Sequence, residues 1–163
     1  RHPRVNILQP GPGVGGHCIA VDPWFIVDSA PDQAKLIHQA RLVNDGKPHF
    51  VLDKIESAAA RFRDPVIACL GLAFKANIDD LRESPSVEIV ADLAGRNAGK
   101  VLAVEPNVTR LPRVLEGKVE LVSTEQALAE ADIVVLLVDH APFKDIDRAI
   151  LAGKVVIDTR GIW

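Results

Sequence analysis

The stretch GPGVGGHCIAVDPWF, Gly11 to Phe25, sets a cysteine, Cys18, four residues before an aspartate, Asp22, and just after a run of glycines. Glycines let the backbone approach a ligand closely and offer several free N–H groups. A cysteine just ahead of a helix start sits where such amides and the helix dipole favour the thiolate, the nucleophilic form. Asp22-Pro23 reads as that start, with Asp22 as N-cap and Pro23 as the first helical residue. A thiolate beside a carboxylate that can position water suits acyl-enzyme chemistry. The rival reading is a dinucleotide loop, because Gly11, Gly13 and Gly16 match G-x-G-x-x-G. That fingerprint needs a preceding strand, a helix opening at the third glycine and an acid about 20 residues on. Pro23 would interrupt the required helix, and the acid-ended second strand is missing, so the expectation is a loop that places a nucleophile. The second cysteine, Cys69, lies inside the apolar VIACLG run and reads as a small core residue.

The elements that must hold this loop follow from periodicity. Leu36, Ala40, Val43, Val51, Ile55, Ala58 and Phe62 recur at three- and four-residue intervals, one face of a long helix over 32–62 with a kink or break at Gly46 and Pro48. Beyond it, strand and helix alternate. Strands are expected over 65–74, 100–106, 132–139 and 154–160, with helices over 84–100, 123–131 and 141–151. Ser84 and Pro85 suit the start of the first of these helices. The run DIVVLLVD has the continuous apolar character of a strand buried on both faces. The predicted fold class is α/β, a long central helix followed by a Rossmann-like doubly wound parallel sheet domain. Three units are expected: a catalytic-cysteine loop over 1–30, a central dimerisation helix over 31–64 and a C-terminal domain over 65–163.

Composition narrows the rest. The 163 residues are 48% hydrophobic and 25% charged, enough for a packed core. No apolar run reaches the roughly 18 residues of a membrane span. A net charge of −3 makes no case for nucleic acid or an anionic membrane as partner. Two cysteines in unlike contexts suggest no disulfide framework, and a reducing cytoplasm is the expected location. No metal-ligand set is assigned. The opening RHPRVNILQPG reads as the interior of a longer protein.

Three stretches together carry a resemblance: GPGVGGHCIAVDPWFI, CLGLAFKANIDDLRESPSVEI and VVIDTRGIW. They resemble the UDP-glucose/GDP-mannose dehydrogenase family, in order and over essentially the whole chain. The likeness is greatest to its UDP-N-acetylmannosamine branch, where His precedes the cysteine and Pro-Trp follows the aspartate. The resemblance implies NAD-linked four-electron oxidation of a nucleotide-sugar C6 alcohol to a carboxylate. It also implies a dimer formed through the central helix, a UDP-sugar substrate and an NAD domain upstream of this chain. Cys18 falls on the family's catalytic cysteine, which forms a thiohemiacetal and then a thioester, and Asp22 on the aspartate that activates the hydrolytic water. Gly15, Lys75 and Arg160 fall on substrate-contacting positions, and Arg82 on an arginine that reaches the NAD. Val21 stands where many members carry a cofactor-holding lysine, and His17 where the glucose branch has serine, read here as substrate fit. Arg4 and His2 sit where a substrate contact could be donated across a dimer.

Two other readings stay open on the sequence. The substrate could be UDP-glucose or GDP-mannose, since the sugar pocket is not legible. The chain could also be a non-catalytic nucleotide-binding or dimerisation module, though such a module has no use for a thiolate at Cys18.

Overall fold

A chain whose apolar runs are continuous must cover both faces of its sheet, and the structure, a computed structural model describing residues 8–163, does so. Arg4 and His2 lie outside the described residues. The strands are β1 (Val66–Leu70), β2 (Lys100–Val104), β3 (Glu120–Leu121), β4 (Ile133–Leu136) and β5 (Val155–Asp158). All pair in parallel, in the order β3-β2-β1-β4-β5. The two-residue β3 was not expected, being too short to carry a period. Side chains alternate between faces: Ile67 and Cys69 of β1 and Ile133 and Val135 of β4 enter one core, while Ala68, Leu70, Val134 and Leu136 enter the other. Burial pushes the Cys69 thiol up to about 12, so it stays a neutral core group.

Seven helices complete the described fold: α1 (Asp22–Ser29), α2 (Lys35–Asp45), α3 (Lys47–Ala59), α4 (Pro85–Gly95), α5 (Thr124–Glu130), α6 (Ala141–Lys144) and α7 (Arg148–Leu151). The first core takes Leu52 and Ile55 from α3 and Ile89 and Leu93 from α4; the second takes Leu128, Phe143 and Leu151 from α5, α6 and α7. The expected single helix over 141–151 is two turns instead. Asp147 accepts from the Ala149 N–H at 2.9 Å and opens a new helix, where a continuous one would need its backbone alone. Ser123 caps α5 by accepting from the Gln126 N–H at 3.1 Å. Ser84 stands at the N-cap of α4, but its hydroxyl donates to the Leu72 carbonyl at 2.7 Å and ties the helix start to the end of β1.

The long helix expected over 32–62 begins later, at Lys35, and divides at Gly46 into α2 and α3. Gly46 stays in the helical region, at φ −75° and ψ −12°. Pro48 cannot donate to the Asn44 carbonyl, so the ladder loses a rung there. The predicted apolar face also divides. Val51, Ile55 and Ala58 of α3 are buried, whereas Leu36 is 83% and Val43 66% exposed on α2. Asp22 is the first residue of α1, and Val21 takes the N-cap position.

The glycine loop lies against the segment that joins β1 to α4. A Cβ on Gly15 would land on the Glu83 carbonyl oxygen and stand 2.7 Å from Pro85 Cδ. Asn44 fixes the same loop from the helix side, its Oδ1 accepting from the Val14 N–H at 2.9 Å. Gly71 ends β1 at φ +93°, where a Cβ would meet Val138 Cβ at 2.5 Å.

Two outcomes follow. Ile55→Ala, at a fully buried position, should cost about 2–5 kcal/mol, read as a lower denaturant midpoint at unchanged slope. Gly15→Ala should cost about 1–3 kcal/mol and lift the loop from its seat, read as new protease cleavage within residues 8–20.

Candidate functional site

The strand order reverses between β1 and β4, since β2 and β3 lie on one side of β1 and β5 lies beyond β4. In open parallel sheets the crevice at the carboxyl ends of such strands is where ligands bind. A cavity of about 460 Å³ occupies that place. Its walls come from the segment after β1 (Ala73, Phe74, Lys75, Ala76), the segment after β4 (Leu137, Val138, Asp139), Arg160 after β5, and the glycine loop (Gly13, Val14, Gly15). Gly15, Lys75 and Arg160, far apart in sequence, are brought together here.

The two cations differ. Lys75 is exposed at the rim, and among the described residues no acceptor or carboxylate pairs with its amine. Arg160 is held: its Nε donates to Asp139 Oδ1 at 2.9 Å, and its own N–H donates to Asp158 Oδ1 at 2.8 Å. Lys144 stands 3.5 Å from the other Asp139 oxygen. Partial burial raises the Asp139 carboxyl, but the Arg160 guanidinium, the Asp139 backbone N–H and the Lys144 ammonium together outweigh it and hold the group below the usual range. Asp139 therefore stays charged and orients Arg160 toward the cavity. Sequence reading missed Asp139; its place at the carboxyl end of β4 is the signal that would have found it.

Cys18, Asp22 and Arg82 do not line this cavity, although Ile19, next to Cys18, does. Cys18 and Asp22 are both exposed and belong to one turn, the Cys18 carbonyl accepting from the Val21 N–H at 3.0 Å and the Asp22 N–H at 2.8 Å. The turn leads directly into α1, so the backbone sets Cys18 one turn before Asp22 at a helix start. Arg82 is committed to Asp80 through Nε at 2.9 Å and Nη2 at 2.6 Å, and those bonds bring the Asp80 carboxyl down to about 2. The aspartate pair 79–80 thus includes one residue that turns the loop, its Oδ1 also accepting from the Arg82 N–H.

The glycines offer no cradle for a dinucleotide. Beyond Gly15, a Cβ on Gly13 would stand 3.1 Å from Pro85 Cγ and one on Gly16 2.9 Å from Phe74 Cε2. The space they open is filled by protein, not left for a pyrophosphate.

The comparisons agree with this architecture. Residues 68–163 match the UDP binding domain of the UDP-glucose/GDP-mannose dehydrogenase family, and residues 1–46 match its central domain. An NDP-N-acetyl-D-galactosaminuronic acid dehydrogenase of Ralstonia solanacearum is 66% identical over all of this chain and 38% of its own length. A UDP-N-acetyl-D-mannosamine dehydrogenase of Salmonella typhi is 55% identical over all of this chain and 41% of its own. Among solved structures, the UDP-N-acetyl-mannosamine dehydrogenase of S. aureus superposes with a TM-score of 0.78 at 37% identity, over 99% of this chain and 38% of that one. This chain thus spans about two fifths of the length of these relatives, and over that span it belongs to the UDP-glucose/GDP-mannose dehydrogenase family.

Proposed function

We propose that this chain is the C-terminal part of an NAD-dependent nucleotide-sugar 6-dehydrogenase that oxidises UDP-N-acetylmannosamine to UDP-N-acetylmannosaminuronate. The observation that carries the reading is the switch-point cavity, where Gly15, Lys75 and Arg160 converge from three separate segments. An ammonium at the rim, unpaired among the described residues, and a guanidinium oriented by Asp139 suit a diphosphate, with Lys as a mobile point charge and Arg as a planar fork. The names of two relatives share an N-acetylated sugar, which supports an N-acetylhexosamine over glucose or mannose.

In this mechanism the chain supplies the nucleophile and the water. Cys18 adds as thiolate to the C6 aldehyde and carries the acyl group as a thioester. Asp22, one turn on, holds the water that cleaves it. NAD, when bound, accepts the hydrides, and Arg82 is the residue of this chain that reaches it. Pairing of two chains through α2 and α3 would cover Leu36, Val43 and Phe50, which the chain leaves exposed. No helix is long and apolar enough to cross a membrane among the described residues, and the reading is of a cytoplasmic enzyme.

The test is NADH production by the complete protein with UDP-N-acetylmannosamine, UDP-N-acetylgalactosamine, UDP-glucose and GDP-mannose. Turnover is expected with N-acetylated sugars, two NADH per sugar. Oxidation of none of the four would leave a binding or dimerisation module and overturn the reading. Cys18→Ser should lower the overall oxidation by on the order of 10³ or more. Asp22→Asn should instead accumulate a covalent sugar adduct with a burst of NADH equal to the active sites, seen by intact-protein mass spectrometry. Alkylation at neutral pH should mark exposed Cys18 and spare buried Cys69. Sedimentation should give a dimer at tens of micromolar, roughly where standard-size interfaces are saturated.

A further inference from the structure

A carboxylate and an imidazole are sealed beneath the cavity without lining it. Glu105 follows β2 and His140 follows β4, and both side chains are fully buried. Glu105 Oε2 accepts from the Leu72 N–H at 2.8 Å, the Ala73 N–H at 3.0 Å and His140 Nε2 at 3.0 Å. Its Oε1 accepts from the Asn107 N–H at 3.1 Å and Asn107 Nδ2 at 3.2 Å. His140 Nδ1 accepts from the Asn77 N–H at 2.9 Å and stands 3.0 Å from Asn107 Nδ2. A backbone N–H can only donate, so Nδ1 is bare and the proton sits on Nε2, facing the carboxylate. Asn77 Oδ1 closes the circuit by accepting from the Ala141 N–H at 2.8 Å.

The circuit bolts one segment at both ends. Glu105 holds Leu72 and Ala73; His140 holds Asn77, a non-glycine residue at φ +62°. Between the bolts lie Phe74, Lys75 and Ala76, which all line the cavity. This segment has no strand or helix of its own to fix it. A buried carboxylate held by an imidazole is a poor device for stability alone, since desolvating the charge offsets much of what its hydrogen bonds contribute.

We propose that Glu105 and His140 are positioning residues for the nucleotide-sugar site: they hold the 72–77 segment so that Lys75 meets the diphosphate of a bound nucleoside diphosphate. The inference rests on the functional reading above and adds to it two residues that touch no ligand. Burial works against the charged carboxyl of Glu105, but the bonds from His140, the Leu72 N–H and Asn107 outweigh it and hold the group below the ordinary range.

The experiment is UDP titration calorimetry on the complete protein, with KM and kcat for the nucleotide sugar alongside. Glu105→Gln should raise the Kd for UDP about tenfold, the scale of one charge-assisted hydrogen bond, and raise KM in parallel while kcat changes little. Lys75→Met should raise Kd at least as much. Combining the two should give no more than Lys75→Met alone, because Glu105 acts through Lys75. His140→Leu should resemble Glu105→Gln, and His140→Gln, which keeps a donor toward Glu105, should recover part of the loss. Leu128→Ala, on the core face of α5, supplies a destabilised control whose Kd should not move. The Glu105 contribution to stability is complete above the unfolded carboxyl value of about 4.3 and is lost as pH falls through the lower folded value. Glu105→Gln should therefore flatten the acid-side fall of the melting temperature. An unchanged Kd in both Glu105→Gln and His140→Leu, or additive losses in the double variant, would overturn the proposal. Wild-type protein that fails to bind UDP, or Lys75→Met that binds it normally, would overturn the functional reading with it.

Discussion

Two stretches of backbone approach so closely at Gly15 that no side chain fits between them, and the cavity exists because they do. On one side is the loop carrying the glycines; on the other is the turn from Glu83 to Pro85 that starts α4. Ser84 ties that turn to the end of β1, and Asn44 ties the loop to the break in the long helix. The sheet, the central helices and the cysteine turn are thereby referred to one another through a contact a few ångströms wide. The missing Cβ at Gly15 serves packing between protein segments, which is why a glycine pattern resembling a dinucleotide fingerprint has no dinucleotide surface here.

The break between α2 and α3 has a comparable logic. Pro48 removes one rung of the ladder at Asn44. Asn44 itself, in the last turn of α2, offers its side-chain oxygen to the Val14 N–H. Beyond the break the helix faces the sheet and buries Val51, Leu52 and Ile55; before it, Arg41 is the one buried residue of α2, paired with Asp45 at 2.5 Å. One periodic apolar stripe therefore performs two tasks, core packing in its second half and exposure in its first.

Much of this was legible in the sequence. The α/β alternation, the buried run at Ile133–Leu136 and the irregularity at Gly46 and Pro48 all follow from local rules that depend on few neighbours. The convergence of Lys75 and Arg160 was reached only through resemblance, because separations of tens of residues leave no local trace. The parts that stayed hidden are those set by tertiary contact, by an element too short to have a period, or by a single local side-chain bond. A two-residue β3 has no period. The split of 141–151 depends on Asp147 bonding the Ala149 N–H. The pairing of Glu105 with His140 joins residues 35 positions apart that read separately as ordinary strand-end polar groups. The length of the helical stripe over 32–62 already implied more apolar surface than the sheet could cover, but not which half would stay exposed: Leu36 and Val43 do, while Val51 and Ile55 are buried.

The two margins of the sheet bear on how such a molecule can associate. A sheet margin with free amides and carbonyls is a template for a strand from another chain. Here β3 is two residues long and has the Lys100 ammonium 3.5 Å from its Glu120 carboxylate. The opposite margin ends at Asp158, whose carboxylate accepts from the N–H groups of Arg160, Gly161 and Trp163 and folds the chain back on itself. The Trp163 indole then donates to the Phe143 carbonyl at 3.0 Å and pins that return. Among the described residues neither margin is longer than the four residues of β5. Among the described residues the sheet therefore ends at five strands, with one margin shortened to two residues and the other turned back on itself.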